Sequence, residues 1–374
     1  MTTDEQLQST LAVSAPDELS DETRGFWAET WIRFQRRHLA RLAMLYVCFI
    51  ALIAIFAPAI AGTKPIVCKY KGHIYFPCMG YLNPRWENPV FYEDRFRRIY
   101  PENLREKDPD SWAIWPLVYQ DPYRRIREDE WPGQPANPSG VDGSPNGHNL
   151  LGTDQSGRDV FAQMVHGTQI AMLVGFVSMG LAAGIGISIG ATAGYFGGWI
   201  DILLSRLIEL VMCIPTLVLI LALVAILEKT TIWHLMAIIG ITGWTSIARL
   251  TRAEFLKLKQ IDYVIAARAL GVGRFRIMFR HVLRNALAPI LVPITFGIAS
   301  AIITESALSF LGFGADPPNP SWGTLLNSGR QTIEQTWWLV FFPGAAIFFT
   351  VLAYNLIGEG LQEATDPRLR EAGK

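Results

Sequence analysis

Five charged side chains stand in or beside apolar stretches, where charge is expensive. Asp154, Arg158 and Asp159 precede one stretch, Glu209 lies within another, and Glu305 falls near the end of a third. A charge at the centre of a bilayer costs about 2.5–3.5 kcal/mol on insertion scales, so an acid kept there is a candidate solute contact or relay group. Each also has a plainer reading. Glu209 can pair with Arg206 one turn away. Glu305 is followed by small residues and a turn at Gly312, so a structural role near the outer membrane face stands beside a solute contact. Asp154, next to Thr153, suits a solvated helix N-cap. Asp154, Arg158 and Asp159 together suit a capping or gate-closing network.

A second group of residues suggests mechanical work. The loop 249–286 carries Arg249, Arg252, Lys257, Lys259, Arg268, Arg274, Arg276, Arg280 and Arg284 against Glu254 and Asp262. Asp262 to Leu270 suits a short helix with an acid at its start. Gly271-Val272-Gly273 breaks it, and Arg274 to Leu283 suits a second helix. There Phe275, Ile277, Met278, Phe279 and Val282 interleave with arginines. Such a hairpin offers apolar knobs to a cytosolic groove, or lies on anionic lipid; the residues alone suit both.

Chemistry of other kinds lacks its residues. No G-x-x-x-x-G-K-[ST] is present to cradle ATP, and no H-E-x-x-H to bind zinc. His38, His73, His148, His166, His234 and His281 are scattered without ligand spacing. Basic and acidic residues balance at 33 each, which argues against a nucleic-acid binder. Four cysteines are too few for a disulfide framework. Cys48 and Cys213 fall in apolar runs, and Cys68 and Cys78 would permit a disulfide in an oxidising compartment.

The elements that must position these groups are membrane helices. Half of the chain is hydrophobic, and the mean hydropathy is +0.23. A span needs about 20 apolar residues, and six segments meet or approach that: 42–61, 170–194, 204–227, 232–248, 286–309 and 337–358. The third contains Glu209 and Pro215 and is expected to kink. The fourth is short and carries Thr242, Thr245 and Ser246. No secretory signal opens the chain, and the run ending Ala57-Pro58-Ala59-Ile60-Ala61 reads as an uncleaved span. Arg33, Arg36, Arg37 and Arg41 precede the first span, and the basic loop lies between the fourth and fifth. Six spans put both on one side, and the excess of positive charge makes that side the cytoplasm.

The chain therefore divides into a cytoplasmic segment 1–41, a first span 42–61, an external loop 62–169, a five-helix core 170–358 containing the loop 249–286, and a cytoplasmic tail 359–374. Within 62–169, Trp86, Phe91, Tyr92, Phe96, Tyr100, Trp112, Trp115, Tyr119, Tyr123 and Trp131 suit a small core or a surface resting on lipid headgroups. Frequent prolines argue against one compact regular domain, and Pro132 to Gly147 reads as a connector. Asp316-Pro317-Pro318-Asn319-Pro320 reads as a stiff external turn anchored by Trp322. Gly180/Gly184, Gly186/Gly190 and Gly190/Gly194 are each four apart, a spacing that lets helix backbones approach closely in lipid.

Several motifs in order carry a family resemblance. Tyr263-Val264-Ile265-Ala266-Ala267-Arg268-Ala269-Leu270-Gly271, followed by His281-Val282-Leu283, resembles the EAA loop of ABC importer permeases. Leu151 to Asp159, Gly194 to Trp199, Glu305 to Gly312 and Pro320-Ser321-Trp322-Gly323 resemble segments of the dipeptide/oligopeptide/nickel branch. The similarity covers about 150 to 370 and the first span.

The resemblance implies an all-α, six-helix type I importer permease in a prokaryotic inner membrane, here with a long irregular external loop between helices 1 and 2. It implies a homologous second permease, two cytosolic ATPase subunits that bind the ATP, and an external solute-binding protein, with no cofactor in this chain. Tyr263, Val264, Ala266, Ala267, Arg268, Leu270 and Gly271 would insert into a cleft of the ATPase. Asp154, Arg158, Asp159, Glu209 and Glu305 are left as possible gate or pathway groups. Two positions depart from the pattern: Ile265 stands where the family has glutamate, and Arg284 where proline is expected. The function so implied is uptake of peptides or similar small solutes. Alternatives are a self-sufficient transporter or channel, or a membrane enzyme working in the external loop.

Overall fold

The structure is a computed structural model and describes residues 26–81, 100–123, 145, 149–155, 157–227, 229–314 and 320–365. Trp86, Phe91, Tyr92, Phe96, the Tyr100 side chain, Trp131, His148, nearly all of the connector Pro132–Gly147 and the turn Asp316–Asn319 lie outside the described residues.

An amphipathic helix, α1 (Phe26–Arg36), leads into α2 (His38–Ile60). α2 is apolar and uncharged after Arg41, and a row of large side chains, among them Leu45, Phe49, Leu52 and Phe56, stays exposed along it. Outward-facing apolar residues are what lipid selects.

Beyond α2 the chain builds a small three-stranded antiparallel sheet of order β2-β1-β3, from β1 (Val67–Tyr70), β2 (His73–Tyr75) and β3 (Trp112–Ile114). Cys68 pairs with Tyr75 on one side and Ala113 on the other. A short 3-10 turn (Pro77–Tyr81) and α3 (Tyr100–Lys107) complete it. Cys68, Tyr70 and Leu104 form its buried core. The expectation of an irregular loop is thus corrected within 67–81 and 100–114. Lys71 and Gly72 both take positive φ, 46° and 80°. Two such residues in sequence close a tight hairpin and let the flanking β-formers pair. Cys68 and Cys78 are both buried free thiols, and burial pushes the Cys68 thiol up to about 12.

α4 (Val160–Phe196) is uninterrupted for 37 residues because the run contains no proline and no charge. It starts ten residues before the expected span, since the Asp159 carboxylate accepts from the Ala162 N–H at 2.7 Å and caps it there. The external loop therefore closes at 159. Next come α5 (Gly198–Met212) and α6 (Thr216–Ala225), which meet at 79° across Cys213 to Pro215. The expected kink is a full break there, because Pro215 supplies no N–H.

The segment 232–248 also departs from expectation. It is divided into α7 (Ile232–Thr242) and α8 (Thr245–Leu258) at Gly243 and Trp244. α9 (Asp262–Ala269) follows, then α10 (Arg274–Phe310), which includes a π-helical turn at Ile277–Val282. The basic second arm and the fifth span are thus one continuous helix. α11 (Trp322–Gly329) and α12 (Trp338–Thr365) complete the fold, and α12 carries helix to Thr365, past the expected tail boundary at 359.

Among the described residues, α2, α4, α10 and α12 are long and apolar enough to cross a membrane, with a fifth span if α5 and α6 form one broken crossing. α4 occupies the centre and packs on α2, α7, α8 and α10. The two described chain ends meet, with Phe34 and Ala40 packing on Ala364 and Arg37 paired with Glu363.

Candidate functional site

The hairpin of α9 and the start of α10 has one face in the core and one in the open. Val264, Ile277 and Val282 are fully buried in the main core, with Ala267 and Val272 packed against it. Tyr263, Ile265, Ala266, Arg268, Phe275 and Phe279 are exposed. Leu270 is 83% exposed at the tip. Gly271 turns the chain at φ +76° with nothing within 4 Å of a Cβ built there. The Asn285 side chain donates to the Tyr263 hydroxyl at 2.8 Å, and Phe275 meets Phe196 of α4 edge-on with centroids 6.2 Å apart. Val264 thus anchors the hairpin with half-buried Ala267 beside it, while Tyr263, Ala266, Arg268, Leu270 and Gly271 form its exposed surface. Ile265 puts an apolar side chain on that surface, and Arg284 sits exposed inside α10.

The same end of α4 is locked to α8 by absent side chains. A Cβ on Gly190 would stand 2.3 Å from the Ala248 carbonyl oxygen, and one on Gly194 2.6 Å from the Phe255 Cβ. One on Gly186 would stand 2.8 Å from the Trp244 carbonyl oxygen and the Ile247 Cβ. Gly180 and Gly184, by contrast, meet nothing within 4 Å. Around this contact the Arg252 guanidinium grips the Asp201 carboxylate with two hydrogen bonds, and the Lys259 ammonium donates to the Gly194 carbonyl at 2.8 Å.

At the opposite end of α4 the acids expected from the sequence converge. The helix is capped by Asp159, not by Asp154. Asp159 is also held by the Asn149 amide, and burial raises its carboxyl to about 6 against the lowering effect of these donors. Asp154 is buried rather than solvated. It accepts from the Arg158 guanidinium at 2.7 Å and from the Gln163 amide at 3.0 Å. The expectation of a solvated cap at Asp154 fails because the 154–158 turn folds its carboxylate inward. Gln155 donates to the Ser328 carbonyl and the Thr332 hydroxyl, and Trp338 and Trp322 donate their indole N–H groups to the Thr153 and Met164 carbonyls. A polar cleft lies between Asp154, Gln155 and Arg158 on one side and Asn327, Ser328 and Gln331 on the other.

Glu305 is buried on α10. The Ser309 hydroxyl donates to it at 2.7 Å, and Ser306 lies at 3.4 Å. Its neighbour α11 sits so close that a Cβ on Gly323 would stand 2.5 Å from the Ser306 carbonyl oxygen. Glu209 is paired with Arg206 at 2.6 Å on an exposed face of α5. Among the described residues no cluster of three or more His, Cys, Asp or Glu could hold a metal ion. Sequence reasoning passed over Asp201 and Gln163 and gave Arg252 and Lys259 no role beyond the basic charge of their loop. Only Asp201, a lone acid beside the Gly197-Gly198 break, gave a signal.

Comparison with known proteins matches residues 186–371 to the family described as binding-protein-dependent transport system inner membrane component. Residues 25–73 match the N-terminal transmembrane domain of oligopeptide transport permease C. The dipeptide transport system permease protein DppC of Alkalihalophilus pseudofirmus is 40% identical over 63% of this chain and 77% of its own length. DppC of Haemophilus influenzae is 41% identical over 59% of this chain and 75% of its own length. The peptidoglycan transport system permease protein YejE of Agrobacterium fabrum is 34% identical, and that match spans 92% of this chain and 90% of its own.

Proposed function

This chain belongs to the inner membrane components of binding-protein-dependent ABC importers, in the dipeptide/oligopeptide branch, and from that premise we propose how it works. It is a membrane permease subunit, and the relatives are transport permeases, not enzymes. Our reading is that six crossings form, with α7 and the start of α8 making the short fourth one and both termini in the cytoplasm. The chain pairs with a homologous permease, two ATP-binding subunits and an external solute-binding protein.

The observation that carries the coupling mechanism is the two-faced hairpin. An exposed tip on a floppy loop transmits nothing, but this tip is anchored by fully buried Val264 and Ile277 and braced against α4 through Phe275. ATP favours the closed ATPase pair, and a groove seated on Tyr263, Ala266, Ala267, Arg268, Leu270 and Gly271 then moves α10 and α4 as one body. ATP is bound by the partner subunits. At the far end, Asp154, Arg158, Asp159 and Glu305 belong to the outer gate that this movement opens, and Glu209 has no part in it.

The solute we assign is peptide-bearing. Relatives aligned with this chain are named for dipeptides, and one aligned along nearly its whole length is named for peptidoglycan. Copurification from native membranes tests the assembly: the ATPase subunits should come down in stoichiometric amount. Gly271→Pro cannot keep the positive φ and Ala267→Trp overfills the docking face, so each should abolish peptide uptake while membrane insertion persists. Normal uptake by both variants, or transport by liposomes holding this chain alone, would sink the proposal.

A further inference from the structure

The small sheet beyond α2 exposes apolar residues on one face and buries them on the other. Its inner face holds Cys68 and Tyr70 against Leu104. Its outer face follows from the register: Lys69 stands opposite both Ile74 and Trp112, and Val67 opposite Ile114. Ile74, Trp112 and Ile114 are all exposed, and Phe76, next along that face, is exposed too. A sheet this small has only one core to fill, and a contiguous apolar patch left outside needs another partner.

The patch is continuous with the lipid-facing surface of α2. The Leu117 and Val118 N–H groups donate to the Ala59 and Ile60 carbonyls in the last turn of that helix, and the Gly62 N–H donates back to Val118. Leu117 is 85% exposed there, beside the row that rises through Phe49, Leu52 and Phe56. From Leu117 the chain runs back through Ile114 and Trp112 into the sheet. Trp112 and Lys69 in one register row combine the aromatic and basic side chains that favour the headgroup layer.

We propose that the described parts of the insert, residues 62–81 and 100–123, rest on the outer leaflet. Ile74, Trp112, Ile114 and Leu117 face the bilayer interface and fix the tilt of α2 against the bundle. The proposal rests on α2 crossing the membrane.

The test is photocrosslinking of the full permease complex in native membranes, with p-benzoylphenylalanine replacing Ile74, Trp112 or Leu117 in turn and adducts identified by mass spectrometry. Phe49 on α2 is the control for the spanning reading, and Lys71 at the hairpin tip the control for water exposure. The expected result is phospholipid adducts at Ile74, Trp112, Leu117 and Phe49, with loss of the adduct at Lys71. In the double variant I74D/W112D, the adduct at Leu117 should fall severalfold while the partner subunits still copurify. Adducts to the solute-binding protein, to the second permease or to residues 82–99 of this chain would overturn the proposal. So would lipid adducts at Phe49 alone. Failure at Phe49 as well would bring down the spanning reading of α2 and this proposal with it.

Discussion

At its N-terminal end α4 is held by buried polar groups, and at its C-terminal end by bare backbone, with Lys259 and the Arg252–Asp201 pair at the edge of that contact. Asp159, Asp154, Gln163 and the indoles of Trp322 and Trp338 grip the first turns through directional hydrogen bonds. Gly186, Gly190 and Gly194 bring the last turns against α8 with no side chain between. The difference lies in what each joint permits. A hydrogen-bond network has discrete alternative partners, so it can open and re-form. Backbone contact in lipid has no such alternative, since its stability comes from close packing alone. The glycine end, beside the hairpin, is the rigid joint of a lever, and the polar end is the one that can part.

The largest effect should come from filling the rigid joint. Gly190→Leu drives a side chain into the Ala248 carbonyl and Thr251, where no flexible neighbour can yield. Overpacking of this kind costs about 3 kcal/mol or more, and the protein should be lost from membranes or melt far earlier in detergent. Gly184→Leu, on the open side of the same helix, should stay within about 0.5 kcal/mol of wild type. Equal damage from both would mean that the two glycine rows do not differ as described. Normal melting of Gly184→Leu with loss of the second permease would instead assign the open row to the subunit interface.

The hairpin tip comes next. Leu270→Asp changes an exposed residue that packs on nothing within the chain, so melting should not move. Removing an apolar anchor from a groove costs about 2 kcal/mol, or about thirtyfold in partner affinity. Uptake at limiting ATPase should fall accordingly, and excess ATPase should restore part of it. A shift in melting temperature of the isolated chain would show that Leu270 stabilises the fold.

The polar joint should respond to pH. Asp159 rises from 3.8 to about 6 in the folded chain because it is buried. A raised carboxyl binds its proton more tightly when folded, so its contribution is complete below about pH 4 and is lost as pH rises through about 6. The two-unit shift caps this at about 3 kcal/mol. Melting of the complex between pH 4 and pH 7 should show the decline, and Asp159→Asn should flatten it. The glycine contact itself is backbone packing, and Gly190 variants leave Asp159 and its partners unchanged, so they should keep the wild-type slope. A wild-type profile flat across this window would remove Asp159 as the titrating member.

Much of the bundle was legible in the sequence because its signals are local. Twenty-residue apolar runs mark spans, Pro215 marks the break, and Gly271 marks the hairpin turn. The misplaced boundaries share one cause: apolar length says where lipid is, while caps decide where a helix stops. Asp159 extends α4 beyond its apolar run, and α10 continues through Arg274 because no residue there forbids helix. Pairings across the sequence were not legible. Nothing local distinguishes Arg252 from eight other basic residues in its loop, and only the fold brings it to Asp201, 51 positions away. The glycine rows illustrate the same limit. Gly180/Gly184 and Gly186/Gly190 have the same spacing, but only the second meets a neighbouring backbone.

Glu209 gives the smallest expected effect and the sharpest check on reading charge near apolar runs. Its position inside a predicted span marks it as a functional acid by default. Its surroundings do not: the side chain is 60% exposed and its partner Arg206 77%, on the outer face of α5. Exposed pairs of this kind contribute about 0–1 kcal/mol. Glu209→Gln should therefore leave uptake within about twofold of wild type and melting within about a degree or two. A loss of uptake comparable with that of Leu270→Asp would place a third functional region on α5. The division of labour between a rigid joint and a parting one would then describe only part of the motion.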